Sequence, residues 1–217
     1  MIYRHLSTSS EERISREYFR STLDPVTKLH TYDAGRWKAK HHPEHYWDVE
    51  YVGDDFFREL AENHFRTSTF MFGDDSGLIQ RFLWTDQMQA GFPPKELVSR
   101  IEVHLNAMTF DRTCCIGYMF GCAVKPERLQ TAVKGSERLK PGASVVVQFA
   151  TQAKDEKKKK EQIMTACTAL IPSLRELKVA GYKVGLMIDK AVEVELDDDS
   201  GDYQLKQLRE AEDFVVR

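Results

Sequence analysis

Residues 144–149, SVVVQF, decide the fold. Three successive valines and a phenylalanine carry no helical period. A short run that is apolar on consecutive residues is the mark of a strand covered on both faces, as in parallel sheets. Just downstream, KDEKKKKEQ (154–162) opens the longest helix, whose apolar residues Ile163, Ala166, Cys167, Leu170, Leu174 and Leu177 step by three or four. Pro172 lies inside that run and is expected to kink or split it, because proline removes a hydrogen bond and clashes with the preceding turn. Gly181 ends the helix, and KVGLMI (183–188) follows as another buried strand. Residues 195–217 read as an acidic loop and a last short helix.

Upstream, RIEVHL (100–105) alternates strictly, with Ile101, Val103 and Leu105 on one face and Arg100, Glu102 and His104 on the other. One face of this strand is expected to meet the core and the other water. CCIGYMFGCAV (114–124) reads as a second strand, joined to the first around Asp111 and Arg112 as an antiparallel hairpin. A helix is expected from Pro126, a residue tolerated at the first helical position, with Leu129, Val133 and Leu139 inward. TSTFMF (67–72) is a strand of β-branched and aromatic residues. It lies between a helix carrying Phe56, Leu60, Ala61, His64 and Phe65 and a shorter one carrying Leu78, Ile79, Phe82 and Leu83. YWDVEYVG (46–53) alternates like a half-buried strand. Residues 26–45 form a long loop. Ser10, Glu11 and Glu12 look like a helix start, with Ile14, Tyr18 and Phe19 on one side and Pro25 closing the segment.

From residue 46 the order is β, α, β, α, β, β, α, β, α, β. Strands separated by helices imply parallel neighbours with right-handed crossovers. The fold expected is α/β, close to α+β: a single mixed, mainly parallel sheet sandwiched by helices. VSRIEVHLN (98–106) fits the L-x-x-L-x-L-x-x-N repeat of leucine-rich proteins. It is a single match, and the strands recur at about 35–45 residues rather than 20–29, so a solenoid is not expected.

The bulk numbers fit this picture. The 217 residues, 41% hydrophobic and 30% charged, are long enough to bury about 70% of the unfolded surface without disulfides or metal. A net charge of −3 gives no general attraction to nucleic acid or anionic membrane. No apolar run has the roughly 20 residues of a membrane span, and no signal-like stretch opens the chain. Cys114, Cys115, Cys122 and Cys167 form neither a disulfide framework nor a paired zinc motif, and read as reduced core thiols of a cytoplasmic or nuclear protein.

Candidate chemistry is sparse. His41, His42 and His45 cluster, but Pro43 breaks any helix that would align them, so a solvated loop is expected rather than a metal site. DDDSGD (197–202) lacks the glycine and glutamate of a calcium loop at the required positions. Lys157–Lys160 are flanked by Asp155, Glu156 and Glu161 and read as a solvated helical turn. Nucleotide-loop, nucleophile-elbow and zinc-protease motifs are absent from the sequence, and no cofactor is called for. His104 and Glu102 share a strand face and could do acid–base work beside a nucleophile, but the sequence names none, and a surface pair is the plainer reading.

Three landmarks carry a family resemblance. MIYRHL (1–6) resembles the middle of the start of fungal F-box-like proteins, where a Leu-Pro-x-Glu-Leu-Arg stretch runs into x-IY-x-x-L. VGDDFFRELAENHFRTSTFMF (52–72) resembles the family's helix leading to an aromatic and a Thr-Phe strand. LIQRFLWTDQMQAGFPPKELVSRIEVHL (78–105) is similar to its FL-x-x-D helix, proline and following strand. The resemblance implies that residues 1–20 are the remnant of the F-box-like helical segment and that 21–217 form one mixed α/β domain. It also implies a docking site for a Skp1-like adaptor of a ubiquitin ligase, with the remainder holding the target. The chain is expected to begin inside the docking helix, through a truncated or misread gene product or because the body works without the dock. Met1, Ile2, Tyr3 and Leu6 are what remains of it. Within the body, Tyr32, Trp37, Tyr46 and Trp47 are the residues expected to anchor a partner, since exposed aromatics anchor interfaces.

The function expected is thus a non-enzymatic protein-interaction domain. The competing class is an enzyme of unfamiliar type with its site at the C-terminal strand ends, where open α/β sheets bind ligands, built from His104, Asp189 and Glu102. A fungal effector is a third reading, weakened by the missing signal sequence.

Overall fold

The computed structural model describes residues 10–19, 22–23, 30–31, 44–73, 76–106, 139–189 and 192–194. SVVVQF lies within β6 (Ser144–Ala150), the middle of a sheet whose strands run, edge to edge, β1 (Glu11–Ile14), β4 (Thr69–Phe72), β5 (Arg100–Asn106), β6, β7 (Lys183–Ile188) and β8 (Val192–Val194). The first five are parallel and β8 pairs antiparallel with β7, so the sheet is mixed and mainly parallel and the fold is α/β. A separate two-stranded ribbon pairs β2 (Thr22–Leu23) with β3 (His30–Thr31). The helices are α1 (Val49–Val52), α2 (Asp54–Thr67), α3 (Ser76–Trp84) and α4 (Glu156–Val179).

The strand order decides what the sheet can do. In the main sheet each strand lies beside the one before it in the chain. Right-handed crossovers that always advance in one direction place their helices on one face. Burial agrees. Register aligns Phe70, Ile101, Val145 and Val184 in one row across the sheet, and Ile14, Phe72, Val103, Val147 and Leu186 in the next. Leu105, Phe149 and Ile188 make a third. All but Val184 are at most 2% exposed, and Val184 packs partly buried against them. Each such side chain contributes roughly 1.5–3 kcal/mol relative to exposure. The opposite row of β6, Ser144, Val146 and Gln148, is only half-buried. The expectation that SVVVQF is covered on both faces is thus met in full on one face only: that face is sealed, and the other is partly covered.

The sealed face meets α2 through Phe57, Leu60, Ala61, His64 and Phe65, with Phe56 only partly buried. Phe82 of α3 is the hub of an aromatic cluster, its ring 4.6 Å from Phe70, 5.6 Å from Phe72, 6.0 Å from Tyr18 and 6.1 Å from Phe65. Edge-to-face and tilted pairs at these separations add to the gain from burial. Helix α4 runs as one helix through Pro172, so of the kink or split expected there, the split does not occur. Pro172 and Thr168 both sit on its exposed side, where the carbonyl freed by the missing N–H can be hydrated. Asp155 caps its start by accepting from Lys158 N at 3.1 Å. At its end Gly181, at φ 91°, donates to Lys178 O (3.0 Å) while Tyr182 N donates to Leu177 O (3.1 Å), a Schellman closure that a β-carbon at Gly181 would strain.

Three further expectations change. Glu11–Ile14 is a strand, not a helix start: Glu11 and Arg13 point outward while Glu12 and Ile14 point inward, so a charged inward residue hid the period of two. Residues 45–52 are helical rather than extended. Asp48 caps α1 by accepting from Glu50 N at 3.0 Å, Gly53 ends it at φ 82°, and Tyr51 is 70% exposed. Over Arg100–Val103 both edges of β5 are occupied, by β4 and by β6, so no hairpin partner pairs there. The CCIGYMFGCAV strand, the helix from Pro126 and the acidic tail lie outside the described residues. Leu139 is buried, as expected, but in a bend before β6.

Candidate functional site

The open sheet face carries the polar chemistry. Strand β5 lies at its centre and alternates, so Arg100, Glu102 and His104 project there while their neighbours fill the core. Glu102 is 7% exposed, unusual for a carboxylate on an open face, and three side chains account for it. Arg100 Nη2 donates to Oε1 at 3.0 Å, Gln148 Nε2 of β6 donates to Oε2 at 2.8 Å, and His104 Nε2 lies 3.3 Å from Oε2. A buried carboxylate holds its charge only when donors replace its water. Here they also fix the imidazole, since the nitrogen engaged by Glu102 sets how the other one faces.

Beside His104, at the C-terminal ends of β1, β4, β5 and β6, an open cleft of about 390 Å³ is lined by Arg13, Met71, Gly73, His104 and Ala150, among others. Register puts Arg13, Met71, Glu102, Val146 and Gly185 in one row across the open face. Arg13 and β5 are thus two strand spacings apart, about 10 Å, with Met71 as an apolar floor between them. At Gly73 a β-carbon would meet nothing within 4 Å among the described residues.

Asp189 also lies at the strand ends, but it is a structural clip. Its carboxylate accepts from Thr151 N and Thr151 Oγ1, both at 2.7 Å, and sits 3.6 Å from Lys159 Nζ. Its own N–H donates to Phe149 O at 2.8 Å while its φ is 50°. The left-handed turn that tolerates aspartate ties the end of β7 to the loop after β6. It does not join His104 in the cleft.

A second polar group mimics a catalytic relay. Ser68 Oγ is 3.3 Å from His64 Nδ1, and His64 Nε2 is 3.1 Å from Glu12 Oε1. Ser10 Oγ lies 3.1 Å from Ser68 Oγ. Ser68 is 1% exposed and His64 3%, and the imidazole is walled by Trp47, Phe65 and Phe70 at 5.4–5.8 Å. A nucleophile that no substrate reaches does no chemistry. This network pins the start of β1 to α2, beside the bond from Thr69 N to Ser10 O.

Of the residues expected to bind a partner, Trp47 is 5% exposed and packs edge-on against Phe57 and His64. Tyr46 is half-buried on the same core; burial, then the nearby Glu44 carboxylate, raises its phenol pKa above the usual value. Met1, Ile2, Tyr3, Leu6, Tyr32 and Trp37 lie outside the described residues. So do His41 and His42; among the described residues no group of three metal-ligating side chains comes together. Glu102 and His104 do meet, as their alternation indicated. Arg13 and Gln148 were missed: their only sequence signal is a polar residue at an outward strand position, and Arg13 sat in a stretch read as helix.

No helix among the described residues is long and apolar enough to cross a membrane. Comparison with protein-family models, curated proteins and solved structures found no match, so the likeness to fungal F-box-like proteins stands on the quoted residues alone.

Proposed function

We propose that this chain is a non-enzymatic protein-interaction domain that recognises its partner with the open face of its sheet. The supporting observation is the pairing of one sealed face with one half-open face whose central side chains are already fixed around Glu102. Singly wound sheets and solenoids use such faces for recognition. A face ordered before binding loses less side-chain entropy on association. In this reading the domain corresponds to the target-binding body of a fungal F-box-like protein, acting in the cytoplasm or nucleus, with Met1, Ile2, Tyr3 and Leu6 as the residues that face an adaptor.

A second reading keeps an enzyme in view, because His104 is oriented by a carboxylate beside a cleft, as a general base is. Among the described residues lining that cleft there is no serine, cysteine, threonine or lysine nucleophile, which favours binding over catalysis.

Two measurements test the proposal. Pull-down with a purified Skp1-like adaptor, using the wild type and a chain carrying Ile2→Ala, Tyr3→Ala and Leu6→Ala, tests docking: the wild type binds and the triple variant binds more weakly. Affinity capture with quantitative mass spectrometry compares the wild type with Val146→Arg on the open face and Glu176→Arg on the exposed side of α4. Partners lost only in Val146→Arg support the reading. A partner set that is unchanged in Val146→Arg contradicts it.

A further inference from the structure

We infer that the cleft at the C-terminal strand ends is a carboxylate-binding subsite, built by Arg13 and His104 to take an acidic side chain of a partner polypeptide. The inference rests on the open face being the recognition surface and specifies what one end of it recognises.

The first ground is an uncommitted cation. Arg13 is exposed and outward on β1, and among the described residues its guanidinium has no carboxylate partner. Glu11, two residues back on the same face, makes no ion pair with it, and Glu102 is already held by Arg100, Gln148 and His104.

The second ground is shape. Arg13 and His104 stand on either side of Met71, and among the described residues no side chain fills the space above Gly73 between them. About 10 Å between the two backbones is a span over which an arginine and an imidazole, reaching inward, meet a single carboxylate. The thioether floor suits the methylene stem of a glutamate. A single guanidinium with one imidazole matches the charge of a carboxylate; a phosphodiester chain calls for a row of cations along its path.

The third ground is the orientation of His104. With Nε2 engaged by Glu102, Nδ1 is the nitrogen left for a ligand. A neutral imidazole donating to Glu102 offers only an acceptor at Nδ1, whereas a protonated one offers a second donor. A carboxylate in the cleft is therefore met by the ring in its two-donor form, with Glu102 behind it and Arg13 across the cleft.

The test uses the whole chain and a fluorescein-labelled hexaglutamate peptide, with hexaglutamine as its neutral twin, read by fluorescence anisotropy at low salt. The expected result is that hexaglutamate binds at least about fivefold more tightly than hexaglutamine and that Arg13→Gln removes about that factor. His104→Gln weakens hexaglutamate binding as well. Both residues are partly or fully exposed, and circular dichroism checks that the variants fold. Lys157→Gln and Lys158→Gln, on exposed lysines at the start of α4, leave binding unchanged. Equal affinity for the two peptides, no loss in Arg13→Gln, or loss in the lysine variants instead overturns the inference. If Val146→Arg still releases partners while hexaglutamate fails to bind, the subsite is wrong and the open-face reading stands.

Discussion

Val146 and Val147 are adjacent on β6 and identical in chemistry, yet the structure gives them opposite fates. Val147 is fully buried between Val103 and Leu186 in the sealed row, whereas Val146 stands half-buried on the open face. Replacing each by threonine keeps the shape and the β-branch and swaps a methyl for a hydroxyl. At 147 the hydroxyl has apolar neighbours, so the variant bears the desolvation of an unpaired polar group, about 1–3 kcal/mol in proteins. At 146 the hydroxyl reaches water and threonine keeps its strand preference, so the change stays within about 0.5 kcal/mol. Urea unfolding followed by far-ultraviolet circular dichroism measures both, with the slope m checked for constancy so that the midpoint reports stability. A difference of more than about 1 kcal/mol between the variants is expected. Equal and large losses would mean that helices cover both faces, and the one-sided sheet would be wrong.

Other expectations follow from the same coordinates. Burial pushes the Cys167 thiol from its ordinary 9.0 up to about 11. In the unfolded chain the thiol loses its proton near 9, while the folded chain holds it to about 11. The stability this group contributes is thus fully present below pH 9 and is lost as pH rises towards 11, by about 1.4 kcal/mol per unit. Wild-type stability should therefore fall more steeply over that window than that of Cys167→Ala, and the native thiol should react slowly with Ellman's reagent at neutral pH. Phe82→Ala should cost about 3–5 kcal/mol in urea unfolding, because it empties the centre of the aromatic cluster. Gln148→Ala should cost about 1 kcal/mol alone and much less in a Glu102→Gln background, a coupling that a double-mutant cycle reads directly.

The parts of this fold that were legible in the sequence are those where local pattern and tertiary environment agree. RIEVHL alternates because its strand has one wet face, and the helix after Gly53 shows its stripe because only one side meets the sheet. Glu11–Ile14 was illegible because Glu12 points inward and is tolerated there by His64, a residue 52 positions away. Residues 46–53 misled because Trp47, Val49 and Tyr51 alternate by accident, while Asp48 and Gly53, a cap and a stop, were the informative residues. SVVVQF suggested two covered faces because valine is favoured on any pleated surface, covered or not. Strand order, the property that makes the sheet one-sided, leaves no local trace. The site was half legible for the same reason: Glu102 and His104 share a strand, whereas Gln148 and Arg13 are brought to them by parallel pairing.

The central claim is that one face of the sheet is open, and methionine oxidation tests it most directly. Met71 and Met187 sit partly exposed on that face, and Met88 is completely buried. Hydroxyl-radical footprinting of the native chain, read by mass spectrometry, should oxidise Met71 and Met187 well ahead of Met88. Protection of Met71 and Met187 equal to that of Met88 in the free chain would contradict the account.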